Sequence, residues 1–124
     1  MTLLDTSVII DYLAGDQKII ALLKEILTKE DAKTTTITEY ELLRHKARIK
    51  KQAEERFLSS ATVYSFDRAA AKEAATLFQE LQDTSRMIND NDLLIAGIAI
   101  SRGEVLLTRD RKLASIGKNN IKAL

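Results

Sequence analysis

At 124 residues, against roughly 150 for a typical domain, the chain reads as one domain spanning residues 1–124. It is 45% hydrophobic and 30% charged, the make-up of an ordinary globular protein, and 19 basic against 18 acidic residues leave a formal charge of +1, which advertises no nucleic-acid partner by itself. No cysteine is present, which excludes disulfides, thiolate nucleophiles and zinc-thiolate or iron–sulfur sites; with His45 the single histidine, a metal site has to rest on oxygen ligands, which suit Mg²⁺, Mn²⁺ or Ca²⁺.

In chain order, Thr2-Leu3-Leu4 opens as a buried strand, and Asp5-Thr6-Ser7 offers cap chemistry for a helix ending near Gly15. The charge at Asp5 interrupts the apolar run a signal peptide needs, so a cytoplasmic location is expected. Ile19, Leu22, Leu23, Ile26 and Leu27 form the apolar stripe of an amphipathic helix. Lys33–Ile37 is β-branched and predicts a second strand, followed by one helix or two broken ones from Thr38 to about Ser59. Ala61–Phe66 predicts a third strand. Asp67 then caps a helix whose buried face is Ala70, Ala74, Leu77, Phe78 and Leu81.

Asn89–Ser101 is apolar nearly all round and predicts a covered central helix, stopped by Gly103. Glu104–Thr108 is a fourth strand, and a short helix leads to a last one at Ile121–Leu124. The longest uncharged apolar stretch, Leu93–Ile100, is far below the roughly 20 residues that cross a bilayer, so no membrane association is expected. No P-loop or GxGxxG pattern occurs. Strand–helix alternation predicts an α/β fold with a mainly parallel sheet of four to five strands between two helical layers. Such folds carry their sites beyond the carboxyl ends of the strands.

Four acids fall there. Asp5 follows the first strand, Glu41 lies one turn into the helix after the second, Asp92 is in the first turn of the buried helix, and Asp110 follows the fourth strand. Each also has a structural reading: Asp5 and Asp110 as N-caps, Glu41 as the partner of Thr38 in a capping box, Asp92 as a complement to its helix dipole. Gathered at one rim they carry a cost, since unit charges ~5 Å apart repel by about 3 kcal/mol at an effective dielectric near 20. Carboxylates held so close take up protons or bind a cation, and the simplest account is a hard divalent metal. A metal among carboxylates suits phosphodiester hydrolysis without any covalent nucleophile.

The basic run Arg44-His45-Lys46-Ala47-Arg48-Ile49-Lys50-Lys51 offers RNA contacts through Arg44 and Lys46, with a solvated helix face balanced by Glu54 and Glu55 as the alternative. Arg109, with Arg111 and Lys112 beside Asp110, adds further candidates for phosphate contact. Asp11 reads as a helix-surface residue, and no G-x-S-x-G elbow supports a serine triad.

Leu3–Leu13 resembles the opening of a PIN-domain ribonuclease of the VapC toxin type. Thr36-Ile37-Thr38-Glu39-Tyr40-Glu41-Leu42-Leu43 resembles that family's second motif, Asn91-Asp92-Leu93-Leu94-Ile95-Ala96 its third, and Leu106-Leu107-Thr108-Arg109-Asp110 its fourth, all in the family's order. Leu113 departs from the phenylalanine common after the fourth motif, and Arg44-His45 from the small residue common after the second.

The resemblance implies a PIN-like three-layer α/β/α fold and a Mg²⁺- or Mn²⁺-dependent endoribonuclease. Asp5, Glu41, Asp92 and Asp110 would be its catalytic and metal-binding acids, and Thr6 and Thr108 its supporting hydroxyls. It further implies an RNA substrate, a homodimer and a VapB antitoxin. Two alternatives stand beside it: a PIN nuclease of RNA processing or decay with no antitoxin, and a non-catalytic acidic pocket like a phosphoryl receiver.

Overall fold

Five short strands alternate with seven helices in the computed structural model, which describes residues 1–44 and 46–124, with the side chains of all but residues 48 and 49. In chain order they are β1 (Thr2–Leu4), α1 (Thr6–Leu13), α2 (Gln17–Leu27), β2 (Lys33–Thr35), α3 (Thr36–Leu43), α4 (Arg48–Ser60), β3 (Thr62–Tyr64), α5 (Arg68–Asp83), α6 (Asp90–Arg102), β4 (Val105–Thr108), α7 (Arg111–Ala114) and β5 (Ile121–Ala123).

Every strand pairing is parallel. β4 lies between β1 and β5, with Leu3 opposite Leu106 and Leu106 opposite Ile121, while β2 pairs with β3. The two ladders meet side by side at β1 and β2, where the Thr34 hydroxyl donates to the Leu4 carbonyl at 2.8 Å. The spatial order is therefore β3-β2-β1-β4-β5, and all five strands end at one rim.

Successive side chains on a strand face opposite ways, and this splits the core in two. Leu3 and Leu106 enter one cluster with Ala70, Leu77 and Leu81 of α5, Ile95 and Ile98 of α6 and Leu113 of α7. Their neighbours Leu4 and Leu107 enter the other, with Val8 and Ile9 of α1, Ile19 and Leu23 of α2, Leu42 of α3 and Leu58 of α4. Helices cover both faces, so the expected three-layer α/β/α architecture is present.

Most expected elements appear with shorter ends. The second strand stops at Thr35, not Ile37, because the Thr35 hydroxyl accepts from Thr38 N and caps α3. Thr38 is consequently inside the helix, and its proposed capping box with Glu41 does not form. Phe78 is exposed, not buried: the stripe Ala70, Ala74, Leu77, Leu81 carries the contact and Phe78 falls beyond its edge. Glu54, expected on a solvated face, is buried. His45 lies outside the described residues, as do the side chains of Arg48 and Ile49 from the same basic run. Among the described residues no helix is long and apolar enough to cross a membrane.

At the far rim from the strand ends, buried Glu104 faces Lys33 Nζ at 3.6 Å, and Lys33 also reaches Glu30 at 3.4 Å. This pairing keeps the negative charge at the start of β4 compensated, apart from the acids at the opposite rim.

Gly97 lets the central helix α6 approach α5. A Cβ there would stand 2.7 Å from the Ala70 carbonyl oxygen and 2.8 Å from the Ala74 Cβ, so the helices would have to move apart. Gly97→Ala is expected to destabilise the fold by about 1–3 kcal/mol in urea titrations, despite the better helix propensity of alanine.

Candidate metal centre

The ladders deliver two of the four acids directly. Asp5 is the residue after β1; its backbone N–H donates to the Leu107 carbonyl at 2.9 Å, which fixes it to the end of β4. It is the N-cap residue of α1, yet its side chain accepts no cap hydrogen bond, so the capping role does not account for the carboxylate. Asp5 Oδ2 instead accepts from the Thr108 hydroxyl at 2.6 Å and the Ser7 hydroxyl at 3.1 Å. Its Oδ1 is buried and, among the described residues, has no hydrogen-bond partner.

Asp110 does cap: its Oδ1 accepts from Lys112 N at 2.9 Å and Leu113 N at 3.3 Å at the start of α7. Its own N–H donates to Thr108 Oγ1 at 2.9 Å, so Thr108 joins the two acids of neighbouring strand ends. Leu113, the departure after the fourth motif, is fully buried and packs in the core.

Glu41 reaches in from α3, where Thr35 rather than Thr38 is the cap, leaving its carboxylate free for tertiary contacts. Glu41 Oε1 accepts from the Thr6 hydroxyl at 2.6 Å, and Oε2 accepts from Asn91 Nδ2 at 3.3 Å. The Thr6 oxygen also lies 3.0 Å from Thr38 Oγ1. A hydroxyl carries one proton, so with Glu41 ionised Thr6 donates to it and accepts from Thr38. Glu41 thereby joins α1, α3 and α6.

Asp92 stands half-buried in the first turn of α6, whose start is set by the Asn89 side chain accepting from Asp92 N at 3.0 Å. Burial, then the charges of Asp5, Asp110 and Glu41, push its pKa from 3.8 to about 7, and it is within hydrogen-bonding reach of Asp110. Burial also pushes Asp5 upward, against the lowering effect of the Thr108 hydroxyl, the Thr6 backbone N–H and the Ser7 hydroxyl, with Glu41 adding to the rise. The four acids therefore sense one another across the rim.

The donor set is one that fits a hard cation. An orphaned, buried carboxylate oxygen is expensive to leave unpaired, and proton uptake or a cation are its two remedies. Among the described residues no three acids stand grouped closely enough to hold an ion together. Magnesium keeps several of its waters and needs only one or two protein carboxylates in direct contact.

Other candidates fall differently. Arg109 is taken up inside the chain: Nε lies 3.2 Å from Asp11 and Nη1 3.0 Å from Asp16. Asp11 is thus an ion-pair partner beyond the surface role read for it. Arg44 is exposed, with its guanidinium 5.5 Å from the Tyr40 ring centre, and Lys46 is exposed.

Two polar residues escaped the sequence reading. Ser7 donates to Asp5, accepts from Arg109 N at 3.0 Å and lies 3.4 Å from Thr108 Oγ1, while Asn91 holds Glu41. Both sit beside a motif acid, in Asp5-Thr6-Ser7 and Asn91-Asp92, but adjacency alone does not say which way a side chain turns.

A family model described as PIN domain matches residues 2–119. The chain belongs to the PIN domain family, a family of nucleases, and the phosphoryl-receiver alternative is set aside. Among solved structures, the fold is similar to a chain of VapBC2 from Rickettsia felis, solved bound to a promoter DNA fragment, with 22% identity, a TM-score of 0.84 and coverage of 98% of this chain and 97% of that one. It is similar to DNA-bound VapBC from Salmonella typhimurium at 25% identity and TM-score 0.81, over 98% of this chain and 96% of that one. VapBC-1 from nontypeable Haemophilus influenzae gives 26% identity and TM-score 0.78, over 93% and 90% respectively. A comparison with curated proteins gives no match.

The raised pKa of Asp92 has a signed consequence. Folded Asp92 keeps its proton to about pH 7, whereas the unfolded side chain loses it near 3.8, so in this window the folded chain binds more protons. In metal-free buffer, stability should fall as pH rises from about 4 to 7 and level off above. A shift of this size is worth about 4 kcal/mol for a group sealed from water, and solvent at a half-buried carboxyl reduces it to roughly 1–2 kcal/mol. Urea titrations across this range in EDTA measure the slope, which Asp92→Asn should flatten.

Proposed function

We propose that this chain is a single-domain, metal-dependent endoribonuclease that hydrolyses RNA phosphodiester bonds, and the toxin of a VapBC-type toxin–antitoxin pair. It would act in the cytoplasm as a homodimer, held in check by a VapB-type antitoxin. One arrangement carries the activity: Asp5 and Asp110 follow neighbouring strand ends and are joined through Thr108, and Glu41 and Asp92 come to the same rim from α3 and α6, where burial and then the charges of the other three raise Asp92. Membership of a nuclease family supports the reaction class, and the likeness to several VapBC structures supports the toxin role and the partner.

In this reading Asp5, Glu41, Asp92 and Asp110 hold Mg²⁺ or Mn²⁺. Such an ion, when bound, polarises a phosphate oxygen and makes a coordinated water more acidic. The chain's own groups set the geometry. Thr108 holds Asp5 by Oδ2, which leaves Oδ1 as the free donor. Thr6 and Asn91 hold both oxygens of Glu41, fixing its plane. Asp92, which burial and the neighbouring acids raise in the metal-free protein, would give up its proton to serve as a ligand once a cation arrives.

The proposal is tested on a mixed RNA pool. Cleavage should require Mg²⁺ or Mn²⁺, stop with EDTA, and fall at least about 100-fold in Asp5→Asn while circular dichroism shows the fold retained. Full activity in that variant would refute the assignment. Induced expression of the wild-type chain, but not of Asp5→Asn, should arrest growth, and co-expression of an antitoxin encoded beside it should relieve the arrest.

A further inference from the structure

A groove of about 530 Å³ separates the turn joining α5 to α6 from α7. Its volume is within the roughly 300–1,000 Å³ of pockets that take a small organic ligand. Arg86 and Met87 line it from the turn, and Lys112, Ser115 and Ile116 from the α7 side. Both walls lead to the metal centre. The turn runs into Asn89, whose side chain holds Asp92 N, and Lys112 N is held by Asp110 Oδ1 at 2.9 Å.

The charges of this groove are unspent. Arg86 and Lys112 are exposed, and among the described residues neither side chain enters an ion pair, which they share with other basic side chains such as Arg111; what sets these two apart is that they line one groove together. The turn itself is held at a cost. Ser85 has φ 57°, in the left-handed region that disfavours a non-glycine residue. Ser85 N donates to the Gln82 carbonyl and Arg86 N to the Leu81 carbonyl, closing the end of α5 and turning the chain across toward α7. Glycine would make that turn without strain, but serine keeps a hydroxyl on the groove wall.

We infer that this groove carries the RNA strand on one side of the scissile phosphate, with Arg86 and Lys112 neutralising its phosphates. Ser85 supplies a hydroxyl for a phosphate or 2′-hydroxyl contact, Ser115, whose proton goes to the Lys112 carbonyl at 2.7 Å, can accept from a 2′-hydroxyl, and Met87 and Ile116 give apolar surface for a base. The inference rests on the ribonuclease reading above. An acidic polypeptide laid in the same groove would run against Asp92 and Asp110, whereas a phosphodiester shares their demand for a divalent cation.

The test compares the wild-type chain with the Arg86→Ala/Lys112→Ala double variant, both residues being exposed and outside the core. Binding of a short fluorescent single-stranded RNA is followed in EDTA from low to physiological salt. Hydrolysis of RNA and of bis(p-nitrophenyl) phosphate, too small to reach the groove, is followed with Mn²⁺. The double variant should bind RNA about 10-fold more weakly at low salt, with a log K against log salt slope shallower by about 1.4, two phosphates at roughly 0.7 each. Its KM for RNA should rise while kcat and small-diester hydrolysis hold.

Unchanged affinity and slope would overturn the groove assignment and leave the ribonuclease reading standing. A wild-type chain that hydrolyses neither substrate would overturn the ribonuclease reading, with the binding measurement still deciding the groove. If the double variant instead loses binding to poly-glutamate and not to RNA, the groove belongs to an acidic protein and the inference fails.

Discussion

Asp5 closes β1 with one carboxylate oxygen satisfied by Thr108 and Ser7 and the other buried with no partner among the described residues. Burying a carboxylate that way opposes folding unless something positive arrives. Parallel pairing of β1 with β4 sets Asp5 beside the strand end that leads to Asp110, and α3 and α6 add Glu41 and Asp92. Helix caps alone would not require this arrangement, because serine, threonine or asparagine can cap without mutual repulsion. The strand ends are thus electrostatically loaded, and the loading has a direction: it favours whatever brings positive charge to the rim.

Holding mutually repelling groups in place takes a rigid frame, and short polar side chains provide it. Thr108 bridges Asp5 and Asp110, Thr6 and Asn91 fix the two oxygens of Glu41, and Ser7 joins Asp5 to the backbone at Arg109. Arg109 continues the frame outward through Asp11 and Asp16, clamping the β4–α7 connection to α1 and the start of α2. Its charge is therefore engaged in architecture next to the site. Arg86 and Lys112, by contrast, are exposed and among the described residues enter no ion pair, as is true of several other basic side chains such as Arg111.

Much of the fold was legible along the chain. The apolar stripes of α2, α5 and α6 and the paired leucines of β1 and β4 announce both period and burial, and Gly103, at φ 65°, ends α6 as its position suggests. Misreadings came where two local signals competed. In Thr34-Thr35-Thr36-Ile37-Thr38 every residue suits a strand, and any of several threonines suits a cap. Thr35 is chosen because its hydroxyl can accept from Thr38 N while Thr34 bonds across to Leu4. Phe78 has the hydrophobicity of a core residue, but the four-residue stripe already fills the contact with α6.

The sequence by itself determined the alternation of strands and helices, the exclusion of thiol and histidine metal chemistry, and the four acids that follow or flank the strand ends, because these depend on residue type and local period. Tertiary structure alone decided which oxygens are satisfied and which are orphaned, that Arg109 is occupied by Asp11 and Asp16, and that Ser7 and Asn91 serve the carboxylates. It also decided that Arg86 and Lys112 face one groove. Those outcomes depend on side chains as many as 103 positions apart meeting across a parallel sheet, as Asp5 and Thr108 do, and no local pattern encodes that distance.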